Sequence, residues 1–340
     1  MNRKYAARPA DPSKPRLTTS AMIASIAGEG QRTKPAPFGH ALVKLAEARP
    51  EVVGLTADLG KYTDMHVFSK AMPDRFYQMG MAEQLLMSAA AGLAREGFMP
   101  FATTYAVFAS RRAYDFICMA IAEENLPVKI VCALPGLTTG YGPSHQATED
   151  LAIFRGMPNL TIVDPCDALD IEQAVPAIAD HPGPVYMRLL RGQVPLVLDE
   201  YDYRFELGKA KILREGDDVL FISAGFMTMR ALEAAKELEQ NGITAAVLHS
   251  PTIKPLDEAS ILAAVRAKPG RLVIVAENHS VVGGLGEAVA GVLMRNGVAA
   301  PFRQIALPDA FLDAGALPTL HDRYGISTSA IVRDVTAWTA

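Results

Sequence analysis

Along most of the chain, apolar positions recur in two rhythms. Over residues 40–49, Leu42, Leu45 and Ala46 fall on one face and Lys44 and Glu47 on the other, the spacing of an amphipathic helix. Residues 51–57 form a short apolar run that reads as a buried strand, residues 75–78 a second, and residues 82–97 a long alanine-rich helix that must pack closely. Residues 112–123 and 168–179 read as helices, each followed by an apolar strand, at 128–134 and 185–189. Such strands between helices predict an α/β fold with a mostly parallel sheet covered on both faces. Residues 195–204 read as a polar connector. Beyond it, strands at 218–223, 244–249 and 272–276 alternate with helices at 229–240, 260–268 and 286–296. The expected organisation is a flexible arm over 1–35, rich in Pro, Lys, Arg, Ser and Thr, an α/β domain over 36–200, and a second over 205–340.

Composition excludes several classes. Of 340 residues, 50% are hydrophobic and 21% charged, enough to bury real cores. No apolar run approaches the roughly 18 residues a membrane span needs. The 33 basic and 37 acidic residues leave a net charge of −4 with no basic block, which argues against nucleic acid. Cys118, Cys132 and Cys166 have no metal-ligand spacing and read as buried small hydrophobes of a reducing compartment. The basic N-terminal residues precede no adequate apolar core of a signal, so a cytoplasmic protein is expected.

The chemistry concentrates in residues 76–84, Phe-Tyr-Gln-Met-Gly-Met-Ala-Glu-Gln, where a strand runs through a glycine turn into a helix with Glu83 in its first turn. An acid at that position also complements the helix dipole. The strand–Gly-x-Ala-Glu-Gln–helix arrangement resembles the pyrimidine-binding domain of thiamine-diphosphate enzymes. Thr56-Ala-Asp-Leu-Gly60, Phe101-Ala-Thr-Thr-Tyr-Ala-Val-Phe108, likened to an aromatic loop, and the loop Gly142-Pro-Ser-His-Gln146 are similar to segments of the transketolase and deoxyxylulose-phosphate-synthase branch. Glu277-Asn-His-Ser-Val-Val-Gly-Gly-Leu-Gly286 and residues 309–325 are similar to its C-terminal domain. The resemblance spans about residues 36–335 and implies a thiamine-diphosphate-binding (pyrimidine) fold domain followed by a transketolase C-terminal α/β domain, both with mostly parallel sheets.

For the site, the resemblance implies that the Glu83 carboxyl hydrogen-bonds the pyrimidine N1′ of thiamine diphosphate and favours its imino tautomer. Phe108 is implied to stack on the pyrimidine with Tyr105 nearby, although both aromatics equally suit a core. His145, on a loop bounded by Gly and Pro, is implied to act at the substrate entrance; a structural histidine is the alternative. Arg191, after the strand at 185–189, matches a sugar-phosphate grip suited to a guanidinium, where solvent or an ion pair would equally engage it. Asp58 matches a carboxylate that reaches the cofactor across a subunit interface; as a residue it also caps a turn. Tyr141 stands where an acid that reads a substrate hydroxyl is common. Pro35 stands where a second phosphate-binding arginine is usual, with Arg32 and Lys34 as possible substitutes. Ketol transfer is therefore expected, with a branched or modified sugar phosphate beside xylulose and ribose phosphates.

The family's Gly-Asp-Gly motif for Mg²⁺ and diphosphate has no counterpart; Gly216-Asp-Asp218 runs straight into a strand and reads as a turn. Hence no metal ligands are expected on this chain, and the resemblance implies the C-terminal half of a split, two-chain transketolase. A partner chain, the N-terminal, pyrophosphate-binding half, would supply Mg²⁺ and the diphosphate grip of a shared cofactor. A symmetric A2B2 heterotetramer, with two copies of each chain, is the expected assembly. The competing readings are the β subunit of a 2-oxo-acid dehydrogenase E1 component and a non-catalytic paralogue that binds a partner. Residues 249–256 and 277–279 read mainly as strand ends and loops of a structural domain, and Gly283-Gly-Leu-Gly286 as a close-packing turn.

Overall fold

The computed structural model describes residues 26–28 and 30–339, so Glu29 and residues 1–25 of the expected arm lie outside the described residues. Short strands β1 (Thr33–Pro35) and β8 (Gln193–Pro195) form an antiparallel pair of their own. The first large sheet contains β2 (Val52–Thr56), β3 (Phe76–Gln78), β4 (Met99–Tyr105), β5 (Lys129–Ala133), β6 (Thr161–Val163), β7 (Val185–Leu189) and β12 (Thr252–Lys254). Their order is β12-β6-β7-β5-β4-β2-β3, and all pairings are parallel except the antiparallel addition of β12. The second sheet contains β9 (Lys211–Arg214), β10 (Val219–Ser223), β11 (Ala245–His249), β13 (Leu272–Ser280) and β14 (Phe302–Leu307). It is ordered β14-β13-β10-β11-β9, with β9 alone antiparallel.

The strands follow from their residues. Every residue of β2, β5, β7, β10 and β11 is buried, as parallel strands covered by helices on both faces require. Gly54 in β2 is needed because a Cβ there would lie 2.7 Å from the Phe68 ring of helix Met65–Ala71. No described helix is long and apolar enough to cross a membrane.

Several elements differ from the expectation. The aromatic segment around Phe101 is a central strand, β4, followed by helix Ala106–Arg112. Pro100, which rarely sits inside a sheet, disguises that strand in the sequence. The helix expected over 112–123 is instead Tyr114–Ile117 continued by a π-helical turn, Cys118–Ala122. The expected connector at 195–204 is packed down: Leu198 and Tyr203 are buried, and the Asp167 carboxylate accepts from the Val197 and Leu198 amides at 2.7 Å each. The last residues of the expected arm, Thr33–Pro35, are strand β1. Residues 252–254 leave the second unit and extend the first sheet through β6, joining the two halves by backbone hydrogen bonds.

In the first sheet the chain leaves β2 toward β3 on one side, then returns past it to β4 and β5 on the other. The order reverses between β2 and β4, and the crevice outside their C-terminal ends is where open α/β sheets bind ligands. Helix Glu83–Arg95 begins beside this crevice, after β3.

Candidate active site

Glu83 opens its helix with the side chain only 3% exposed. Arg112, at the end of the helix that follows β4, reaches it: Nη1 lies 3.2 and 3.4 Å from the two carboxyl oxygens. The same guanidinium carbon sits 4.1 Å from the Phe108 ring centroid, so a flat N–H-bearing group lies on the aromatic face while bonding a buried carboxyl. Phe108 and Arg112 are four residues apart on one helix and therefore share a face. The residues present fit an aminopyrimidine, because a planar group already lies on the Phe108 face within hydrogen-bond reach of the buried Glu83 carboxyl.

His145 continues the site. Its ring lies 5.5 Å from Phe108, 6.0 Å from Tyr105 and 5.1 Å from Tyr141, centroid to centroid, with Ser144 Oγ 2.9 Å from Nδ1. Burial, with a smaller contribution from the Arg112 charge, holds His145 below the ordinary histidine value. The imidazole is therefore neutral near pH 7 and can both donate and accept a hydrogen bond. In an NMR titration its ring should protonate below pH 6.5, and Arg112→Ala should move that midpoint up by a small amount. A midpoint unmoved by the substitution would separate the two groups.

Beyond Tyr105 lies Arg191. Burial raises the Tyr105 phenol above its ordinary value, the Arg191 charge opposes this, and Tyr141 and Tyr62 add to it. The Arg191 guanidinium carbon is 5.5 Å from the Tyr62 ring centroid, and its buried Nε has no hydrogen-bond partner among the described residues. Asp64 is close by: Oδ1 accepts from the Gly192 amide at 3.0 Å, and burial pushes its carboxyl up to about 6 against the pull of that bond and of Arg191. The arrangement leaves donor capacity on Arg191 for an anionic group.

Glu83 (through Arg112), Phe108, Tyr105, His145 and Tyr141 are thus brought into one run of contacts, while Arg191 contacts Tyr62. Asp58 stands exposed at the end of β2, in a left-handed conformation with φ 58°, and bonds Gln78: its amide donates to Oε1 at 2.7 Å and Oδ1 accepts from Nε2 at 3.3 Å. Among the described residues no contact joins it to His145 or Phe108. Arg32 pairs with Asp199 and Glu200, and Lys34 with Glu172 at 2.6 Å, so both basic side chains near Pro35 are engaged in ion pairs. Gly216-Asp-Asp218 bends between β9 and β10, and Asp218 accepts from Thr244 N and Oγ1 at 2.7 Å each, just before β11. Among the described residues no group of three His, Cys, Asp or Glu side chains could hold a metal ion.

Sequence reasoning missed Arg112, Tyr62 and Asp64. The spacing of Phe108 and Arg112 was the available signal, but a helix starting at residue 112 separates the two residues that one helix face in fact unites.

The transketolase pyrimidine-binding domain family matches residues 34–197, and the transketolase C-terminal domain family residues 208–331. A protein of Sinorhizobium fredii assigned to the transketolase family (y4mN) is 74% identical over 99% of both chains. A 6-deoxy-6-sulfo-D-fructose transketolase subunit (SqwH) of a Clostridium species is 40% identical, covering 86% of this chain and 90% of its own. Among solved structures, a split gene transketolase described as an inactive beta4 tetramer is 41% identical, with a TM-score of 0.81 over 90% of this chain and 98% of that one.

Proposed function

The chain belongs to the transketolase family, and on that premise we propose that it is the C-terminal-half subunit of a two-chain, thiamine-diphosphate-dependent transketolase. It would move a two-carbon ketol unit from a ketose with an anionic terminus to an aldose acceptor. The observation carrying this reading is the cluster in which Arg112 bonds the buried Glu83 carboxyl and lies on the Phe108 face, with the His145 ring against Phe108, Tyr105 and Tyr141.

When bound, the cofactor supplies an electron sink for the ketol carbons. The chain's own residues set its surroundings. The Glu83 carboxyl would share a proton with the pyrimidine N1′, Phe108 would support the ring face, and Arg112 would swing from both to admit it. His145 would hold substrate hydroxyls as a neutral donor and acceptor, with Tyr105 and Tyr141 closing the walls. Arg191 would take the anionic terminus, which a phosphate or a sulfonate could supply. Asp58, exposed just past the C-terminal end of β2, would meet the cofactor across the subunit interface.

Mg²⁺ and the diphosphate grip belong, on this reading, to the N-terminal-half partner chain, in an A2B2 heterotetramer in the cytoplasm. Large apolar side chains support a covered face beside the site. Met81 is 82% exposed and Leu85 51%, at the start of the Glu83 helix, and Met119 is 57% exposed on the neighbouring one. Alone, the chain would self-associate through surfaces of this kind.

The test is co-expression with a candidate N-terminal-half partner, followed by assay with thiamine diphosphate, Mg²⁺ and a panel of ketose phosphates and a 6-sulfo ketose. Two-carbon transfer by the mixture supports the proposal and identifies the donor. Turnover only with a lipoyl partner would move the chain to the 2-oxo-acid dehydrogenase reading.

A further inference from the structure

The segment Glu277-Asn278-His279, at the end of β13, places three consecutive buried polar side chains between the two halves of the chain. Each ties down a different element. The Glu277 oxygens accept from the Leu285 and Gly286 amides at 2.6 and 2.8 Å, anchoring the first turn of helix Leu285–Arg295. His279 Nε2 lies 3.2 Å from the Ala152 amide, which donates to it, and Nδ1 donates to the Ser280 carbonyl at 2.8 Å; together these fix one neutral tautomer.

Asn278 reaches the loop that carries Tyr141 and His145. Its Oδ1 accepts from the Leu137 amide at 2.8 Å, and its Nδ2 donates to the Pro135 carbonyl at 3.0 Å. Both ends of the amide are used, so the side chain acts as a short strand partner for the loop. The loop backbone lies so close that a Cβ on Gly136 would fall 2.2 Å from the Asn278 carbonyl oxygen. That carbonyl is held in turn by Arg188 Nη1 at 3.2 Å.

Other groups of the second unit grip the same loop. His321 Nε2 donates to the Leu137 carbonyl at 2.8 Å, the Gly315 amide to Gly140 at 2.9 Å, and the Ser280 amide to Thr148 at 2.8 Å, while Gln146 Nε2 donates to the Asp313 carbonyl at 3.1 Å. From the first unit, Arg111 bonds the Pro143 and Gln146 carbonyls. His145 therefore rides on a loop whose ends are set by the second unit, whereas Glu83 and Phe108 sit on helices of the first.

We propose that Asn278 is a positioning residue for the transfer reaction: it fixes the His145 loop, and through it the C-terminal unit governs substrate handling without touching substrate. This rests on the transketolase reading of the site. Asn278→Asp keeps the acceptor for Leu137 but sets an oxygen against the Pro135 carbonyl, so the tether fails at one end.

The test compares wild type, Asn278→Asp, His145→Ala and the double variant, each in the two-chain complex. Since a displacement of about 1 Å can cost 10²-fold, Asn278→Asp should lower kcat/KM for the ketose by about 10-fold or more. Thiamine-diphosphate affinity should stay within about twofold, because the contacts for it lie on other elements. In the His145→Ala background the same substitution should add little further loss, since both act through one group. Hydrogen exchange should quicken in residues 137–146 and stay unchanged in helix Glu83–Arg95. Fully additive losses, an equal fall in cofactor affinity, or unchanged kcat/KM would overturn the proposal. Should Asn278→Asp fail to fold, Asn278→Ala carries the same comparison without a buried charge. An inactive wild-type complex would instead refute the transketolase reading, with the exchange data still testing the tether.

Discussion

Glu83→Gln is expected to cost the two-chain complex at least ~10² in kcat, in keeping with the usual contribution of a positioned acid–base group. Glutamine keeps the volume and the hydrogen-bonding reach of a side chain that is 3% exposed, so packing of helix Glu83–Arg95 should survive. On the proposed reading, what it removes is the ability to hold and release a proton at the cofactor ring. Arg112, the partner at 3.2 Å, is 51% exposed and relaxes into solvent, which makes the stability cost small. Denaturant midpoints measured beside kcat separate the two effects. Turnover near wild type in a folded variant would remove Glu83 from the chemistry.

Arg188→Met is expected to destabilise the chain by about 3–5 kcal/mol, because it strands buried carboxylates without their counter-charge. Arg188 is fully buried and bonds both Asp150 oxygens, with Nε 2.9 Å from Oδ2, while Nη1 lies 3.1 Å from Asp164. Tyr186 adds a hydrogen bond to Asp150 at 2.6 Å. Burial alone would raise Asp150, yet the Arg188 charge and hydrogen bonds keep it below the usual carboxylate range. Asp164, with a weaker share of Arg188, is raised by its burial. Urea unfolding measures the loss. A midpoint within experimental scatter of wild type would mean that water reaches these carboxylates.

Arg188 and Arg191 also mark how far the sequence could be read. Both stand in one strand-end motif, Tyr-Met-Arg-Leu-Leu-Arg, and residue type distinguishes neither. Burial does: the first is locked between two aspartates, and the second, just past β7, keeps a buried Nε with no hydrogen-bond partner among the described residues. The parallel fold was legible from short apolar strands between helices, and the Gly80-Met-Ala-Glu-Gln84 turn pointed to its site, because both signals are local. β4 was hidden because Pro100 contradicts the sheet that contains it. Arg112 was missed because that hidden strand displaced the start of the following helix. The part Asn278 plays is not legible in the sequence, because its partner Leu137 lies 141 residues away and no local pattern records such a pairing. The same holds for β12, whose three residues leave one sheet's neighbourhood for another.

The most direct test of the account is calorimetric titration of thiamine diphosphate with Mg²⁺ into this chain alone and into its mixture with the N-terminal-half partner. Saturable binding by the mixture only, accompanied by two-carbon transfer, is the predicted result. Binding and turnover by this chain alone would contradict the divided site.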